Sequence, residues 1–461
     1  MDKLARLRQE DGVQSDALSD EGPATPTKED DTKRLLIDQK NKYKSLRIRT
    51  ASTLVLVGAF LGITYLGHVT LMLMIFGIQW MMVSELFKLA NAQRHRERRP
   101  VKKFTRLQWY FFGVAAFWMY LRFVNSQLVV EITSNAKLAH LFGWILRRHT
   151  VMSYSLYTAG FVWFVLSLEK HFYIYQFGQF AWIHMILLVV FIPSSFFVSN
   201  IFDGLIWFLL PCSLVIINDI GAYLAGFFFG QTPLIKLSPK KTWEGFLGGL
   251  VTTVVASWFL AGLACHSKWM TCPRTDLSMG WLDCEPDDIF KPAEYVVSDI
   301  AYFIPASLHS IWQATAVRLP PAFMQDVVDP LANFHFTARP MQLHAVVLAM
   351  FASIIAPFGG FFASGFKRGF KIKDFGDSIP GHGGMTDRMD CQVVMAVFAY
   401  MYYNNYVATN SASVGSVLTK VMQLDPRQQL ELFSKLGNML AGEELLDQKL
   451  ITALSQQIRR S

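Results

Sequence analysis

Nine apolar runs, each near the length a helix needs to cross a bilayer, restrict what this chain can fold into. They fall at residues 50–67, 69–90, 107–126, 150–168, 178–199, 202–229, 245–265, 343–363 and 391–409. About 20 apolar residues span the hydrocarbon core as a helix, and in lipid a helix satisfies its own backbone polar groups. The pattern therefore predicts an all-α, polytopic integral membrane protein with about nine transmembrane helices. Composition agrees: 52% of the 461 residues are hydrophobic and 17% are charged, with a mean hydropathy of +0.28. That is too apolar for an ordinary soluble chain of this length.

The charged residues then set the topology. The formal net charge of +8 gathers in particular loops, which reads as orientation and an anionic ligand rather than nucleic acid. Lys42, Lys44, Arg47 and Arg49 precede the first run and hold the N-terminal side in the cytoplasm. The stretch RHRERRPVKKFTR at residues 94–106 belongs on the same side, as two crossings require. Continuing the alternation brings the loops at 230–244 and 364–390 to the cytoplasm, and residues 266–342 to the opposite side. That long loop holds Cys272 and Cys284, with Cys265 at its edge. In an oxidising lumen two of the three are able to pair, but so sparse a pattern favours free thiols. Pro320, Pro321, Pro330 and Pro340 predict short amphipathic pieces on the membrane surface. No CxxC pair or His/Cys spacing suggests zinc.

The ends are polar. Residues 1–45 mix charges without apolar periodicity and read as a disordered cytoplasmic tail, with no cleavable signal peptide before it. Residues 46–410 form the membrane domain. Residues 411–461 read as a small amphipathic helical tail, opened by Asp425-Pro426 and carrying Leu432, Phe433, Leu436 and Leu440. By parity this tail lies on the side opposite the two cytoplasmic loops.

Chemistry concentrates in Ser364 to Asp390, SGFKRGFKIKDFGDSIPGHGGMTDRMD. Lys367, Arg368, Lys371 and Lys373 supply cations; Asp374, Asp377, Asp387 and Asp390 supply carboxylates; His382-Gly383-Gly384 lies between the acidic pairs. Asp387 and Asp390, three apart, fall on one face of a helix and can share a hard cation such as Mg²⁺. The lysines and arginine suit phosphate oxygens, and the glycines let backbone N–H groups approach an anion. Thr386 to Asp390 reads as the start of the next helix, whose N-terminus attracts negative charge. These parts point to phosphoryl or nucleotidyl transfer.

A second constellation runs from Asn218 to Gly249. Asp219 sits in or near the end of an apolar run, where a carboxylate is expensive and usually functional. Gly221, Ala222, Ala225, Gly226 and Gly230 permit close helix packing. Ser238-Pro239-Lys240-Lys241-Thr242-Trp243-Glu244-Gly245 follows, with paired lysines beside two hydroxyls at the entry to a helix, a phosphate-binding combination. No GxxxxGK[ST] loop and no GxGxxG after a strand is present, so the membrane domain's own loops must hold any nucleotide.

The run Ser364 to Asp390 resembles the signature of the phosphatidate cytidylyltransferases. Ser364, Lys367, Arg368, Lys373, Asp374, Gly376, Ile379, Pro380, His382, Gly383, Gly384, Asp387, Arg388 and Asp390 fall in register without an insertion. Ser238 to Gly245 resembles the family's second motif. Two positions depart from relatives: Gln231, where a basic residue is frequent, and Gly360, where bacterial members carry an acid. The resemblance covers residues 45–410 and implies condensation of CTP with phosphatidic acid to give CDP-diacylglycerol and pyrophosphate, for phosphatidylinositol and phosphatidylglycerol synthesis. It implies catalytic roles for Asp387, Asp390, Asp374, Lys373, His382 and Arg388. Mg²⁺ would be held by Asp387 and Asp390, with Asp219 and Asp374 as further ligands. Ser238, Lys240, Lys241, Thr242, Ser364, Lys367, Arg368, Gly383 and Gly384 would bind the phosphates of CTP and phosphatidate. It also implies an endoplasmic reticulum membrane, an active site facing the cytoplasm, and allows a homodimer. From the residues alone, two rivals stand beside this reading: a transporter or channel using Asp219, Glu85 and Lys88, and a lipid kinase using CTP.

Overall fold

The computed structural model describes residues 50–95, 102–127, 136–235, 238–274, 284–296, 335–381, 383–408, 421 and 424–442. The N-terminal tail, His382 and most of the 266–342 loop, including its expected amphipathic pieces, lie outside these residues. The described residues are mostly helical. In order it has α1 (Thr50–Leu66), α2 (His68–His95), α3 (Lys102–Gln127), α4 (Ala136–Leu166), α5 (Tyr173–Asp203) and α6 (Leu205–Phe229). Strands β1 (Pro233–Ile235) and β2 (Ser238–Thr242) follow, then α7 (Trp243–Ala264) and the single turn α8 (Lys268–Thr271). Next come β3 (Ala293–Val296), β4 (His335–Ala338), α9 (Pro340–Ile354), α10 (Pro357–Phe370), α11 (Thr386–Tyr402) and α12 (Pro426–Gly442). Two units are distinguished: residues 50–58 with 379–381, and all the remaining elements, which contain the site.

Five stretches among the described residues are long and apolar enough to cross a membrane: His68–Asn91, Tyr173–Asp203, Leu205–Phe229, Trp243–Ala264 and Pro340–Phe370. The other expected spans are helical too, but α1 and α11 are short, and the apolar runs of α3 and α4 are diluted by polar residues, among them Gln108, Arg122 and Asn125 in α3 and Ser153, Ser155 and Thr158 in α4. The run expected at 343–363 is not one helix. Pro357, which has no N–H to donate, opens α10 at its first position, so the stretch divides into α9 and α10.

Two apolar cores hold the helices. One gathers Leu71, Ile75, Phe111, Phe164, Ile183 and Phe202 from α2 to α5. The other gathers Trp207, Leu214, Ala261, Leu348, Ala352 and Met395 from α6, α7, α9 and α11. Because lipid tails are as apolar as these side chains, polar links fix the register of the helices. Asn200 Nδ2 donates to Ala396 O at 3.1 Å and Gln392 Nε2 to Cys212 O at 3.1 Å, tying α11 to α5 and α6. Small residues bring α6 and α7 together: a Cβ on Gly245 would stand 2.8 Å from Ala222 O.

The all-α expectation misses two antiparallel pairs, β1 with β2 and β3 with β4. The motif at Ser238 to Thr242 is itself a strand, and it turns the chain from α6 back into α7. The expectation of free thiols is also corrected. Cys272 and Cys284 form a disulfide, their Cα atoms 5.9 Å apart, while Cys265 is free. Spacing hid the pair because the fold sets the distance. Arg274, buried just beyond Cys272, donates its backbone N–H to Phe202 O at 2.8 Å and anchors this loop against α5.

Candidate active site

The site is assembled where α10, the loop after it, α11, and the β1–β2 hairpin meet α6. Lys367 and Arg368 lie in the last turn of α10, where cations oppose the negative end of the helix dipole. Lys371 then takes a left-handed conformation, φ 56°, and ends the helix. The loop that follows wraps around two carboxylates. Asp387 accepts from Lys367 Nζ at 2.6 Å, from Phe375 N at 2.9 Å and from Gly384 N at 3.3 Å. Glu85, delivered from α2, accepts from Met385 N at 2.8 Å and Thr386 N at 2.9 Å. The N-terminus of α11, which by sequence suits a substrate anion, is therefore filled by a carboxylate of the chain itself.

One turn further along α11, Asp390 faces α10. Its Oδ1 accepts from Cys391 N at 2.7 Å, and a Cβ on Gly360 would stand 3.5 Å from its Oδ2 and 3.8 Å from Lys241 Nζ. Burial pushes the Asp390 carboxyl above the ordinary range, against the pull of its hydrogen bonds with Cys391 and the charges of Lys367 and Lys241. Asp219 on α6 lies within electrostatic range of Lys241, Asp390 and Arg388. Lys241 Nζ sits 4.4 Å from the centre of the Phe361 ring, a cation on an aromatic face. Asp219, Ser238, Lys241 and Thr242 line a cavity of about 500 Å³, whose other walls include Tyr223, Phe227, Leu234, Phe246 and Phe361.

The fold thus joins Asp219 and Lys241 of one motif to Arg388 and Asp390 of the other, residues more than 140 positions apart in sequence. Other expected residues are placed differently. Both oxygens of Asp387 are committed to the loop and to Lys367. Ser364 Oγ donates to Gly360 O at 2.7 Å within α10. Thr242 Oγ1 caps α7 by accepting from Gly245 N at 3.2 Å. Arg368, Lys373 and Asp374 are exposed, and Asp374 lies beside Gly383, whose φ is +84°. His382 and the Lys240 side chain fall outside the described residues.

Two carboxylates that hold the site together carry no local signal in the sequence that places them there. By sequence Glu85 is only an acid within an apolar run, grouped with Asp219 and Lys88 in the ion-path rival. Glu244 is legible in sequence only as a member of the run Ser238 to Gly245; it accepts from Thr232 Oγ1 at 2.6 Å and from the backbone N–H groups of Gln231 and Thr232, pinning the turn between α6 and the hairpin.

Among the described residues no group of three or more His, Cys, Asp or Glu side chains is arranged to hold a metal. The pair Asp219 and Asp390 still suits Mg²⁺, which commonly binds through one or two carboxylates and completes its shell with substrate phosphates and water. Membrane helices, a carboxylate pair and cations beside a partly apolar cavity define the class: an integral membrane protein built to process a phosphate-bearing substrate.

The chain belongs to the cytidylyltransferase family, whose profile matches residues 47–406. It is 49% identical to phosphatidate cytidylyltransferase 1 of Arabidopsis thaliana over 407 residues, covering 88% of this chain and 90% of the relative. With phosphatidate cytidylyltransferase 1 of Homo sapiens the identity is 39% over 431 residues, 92% of this chain and 86% of the relative. A putative phosphatidate cytidylyltransferase of Schizosaccharomyces pombe is 39% identical over 396 residues, 85% of this chain and 83% of the relative.

Proposed function

We propose that this chain transfers the cytidylyl group of CTP to phosphatidic acid, giving CDP-diacylglycerol and pyrophosphate for phosphatidylinositol and phosphatidylglycerol synthesis. One observation carries the reading: Asp219 and Lys241, with Asp390 and Arg388 in electrostatic range, stand at a cavity whose other walls are largely apolar and aromatic. A substrate with an anionic head and acyl tails needs both surfaces in one place. Its tails stay in the bilayer while its phosphate reaches the charged wall beside α6.

A phosphatidate oxygen, ionised at neutral pH, attacks the α-phosphorus of CTP. The new P–O bond forms as the bond from the α-phosphorus to the bridging oxygen breaks, and pyrophosphate leaves with that electron pair. No general base is needed, so catalysis rests on positioning and on neutralising charge. Lys241, Arg368, Lys373 and Arg388 hold the phosphates. Lys367 keeps Asp387 in place and the loop in shape. Asp219 and Asp390 would hold Mg²⁺, and the chemistry it would supply there is neutralisation of charge on the departing pyrophosphate.

The same reading puts the protein in the endoplasmic reticulum membrane with the site facing the cytoplasm, and allows a homodimer. The Cys272–Cys284 disulfide supports this orientation, because the alternation of runs puts that loop opposite the site and disulfides persist in an oxidising lumen. Chemical cross-linking in native membranes tests the dimer.

The test of function uses purified protein in detergent with phosphatidic acid, Mg²⁺ and α-³²P-labelled CTP. Label entering the lipid with an equal yield of pyrophosphate is expected. Release of CDP with no label in the lipid would identify a lipid kinase instead, and no turnover by folded protein would favour the transporter reading.

A further inference from the structure

We propose that Glu85 is a positioning residue for this reaction: from a membrane-spanning helix remote in sequence from both motifs, its carboxylate sets the shape of the loop that carries Gly383 and Gly384 and leads into Asp387 in the first turn of α11. The inference rests on the cytidylyltransferase reading of the site. Three observations point to it.

First, Glu85 is 2% exposed within the apolar stretch His68–Asn91, an expensive place for a carboxylate without a purpose. Its two oxygens are answered by the amides of Met385 and Thr386, some 300 residues later. Second, the loop is cut to fit it. A Cβ on Gly376 would lie 2.8 Å from Glu85 Cγ, and a Cβ on Gly384 would lie 2.9 Å from both Glu85 Oε2 and Asp387 Oδ2. Neither position admits a larger residue without moving a carboxylate. Third, Glu85 and Asp387 together take the N–H groups of Phe375, Gly384, Met385 and Thr386.

These amides are the ones a glycine-rich loop at a helix N-terminus would ordinarily offer to phosphate. Here the chain supplies its own anions, so substrate phosphates are left to side-chain cations, and the loop stands preorganised before substrate arrives. Asp390 follows on the same helix. A shift in the first turn of α11 therefore moves the carboxylate that faces Lys241.

Glu85→Gln tests this, because the amide keeps the shape of the side chain but offers only one acceptor to two N–H groups. In full-length protein in detergent, kcat is expected to fall at least about tenfold while KM for CTP and for phosphatidate changes less than about threefold. Hydrogen exchange of the peptide containing Met385 and Thr386 is expected to speed up at least about tenfold. Gly376→Ala, which displaces the Glu85 stem without altering its charge, is expected to reproduce the kcat loss and keeps the test open if Glu85→Gln does not fold. A kcat within about twofold of wild type for both variants would overturn the proposal, as would a loss of kcat with unchanged exchange at residues 385–386. Wild-type protein that transfers no label overturns the functional reading itself, and the positioning role with it. Normal wild-type transfer with unaffected variants removes the positioning role alone.

Discussion

Lys367 offers the sharpest test of how the charges in this site are divided. By sequence it is a phosphate-gripping cation; in the structure it lies 2.6 Å from Asp387, the lysine side chain 18% exposed and the aspartate 8%. Removing one partner of a buried pair costs roughly 3–5 kcal/mol, because the other is left uncompensated. Asp387 would still accept from Phe375 N and Gly384 N, which soften the loss, so Lys367→Met is expected to destabilise by about 2 kcal/mol. Asp387→Asn turns an NH₂ group toward either Lys367 Nζ or the N–H groups of Phe375 and Gly384, and is expected to cost about 3 kcal/mol. The double variant should cost less than the sum, with a coupling of about 1.5 kcal/mol. Unfolding of each protein by SDS in mixed micelles gives the stabilities, and calorimetric titration with CTP gives the affinities. If Lys367→Met retained wild-type stability to within about 0.5 kcal/mol yet lost CTP affinity, the lysine would belong to the substrate and the division of charges argued here would be wrong.

Asp219→Asn and Asp390→Asn are each expected to lower label transfer at least about a hundredfold and to weaken the Mg²⁺ dependence of CTP binding, whereas Asp374→Asn, exposed beside Gly383, is expected to retain more than about a tenth of the rate. Thr242→Ala removes the cap of α7 and is expected to cost about 1 kcal/mol in the same unfolding assay, with Thr242→Ser recovering most of it. Of the five cysteines, only Cys212, Cys265 and Cys391 are free, so denatured protein should take three maleimide labels before reduction and five after it, as counted by mass spectrometry. Cys272→Ser should lower the thermal midpoint without changing kcat at a temperature where the protein is folded, since the disulfide belongs to the loop after α8 and not to the site.

Much of this protein is determined by sequence alone. Long apolar runs exclude a soluble fold, because so many helices of that length and composition carry more apolar side-chain surface than a water-facing fold can bury, whereas in lipid each satisfies its own backbone and leaves its side chains in hydrocarbon. The residue types and register of Ser364 to Asp390 and of Ser238 to Gly245 announce phosphate chemistry before any coordinate is known. What the tertiary structure decides is which charges meet. Asp387 and Asp390 are three apart on one helix, yet Asp387 turns to the loop and Lys367 while Asp390 turns to α10 and Lys241. Helical periodicity gives a shared face, but only the packing of neighbouring helices says what lies against each part of it. Glu85 reaches the site from α2 through hydrogen bonds about 300 residues apart in sequence, and Asp219 from α6 through the charges of Arg388 and Asp390 about 170 residues away. No local pattern carries such information, since buried carboxylates are compensated by whatever donors the fold brings to them. The same holds for Cys272 and Cys284, whose pairing depends on a Cα separation set by the fold.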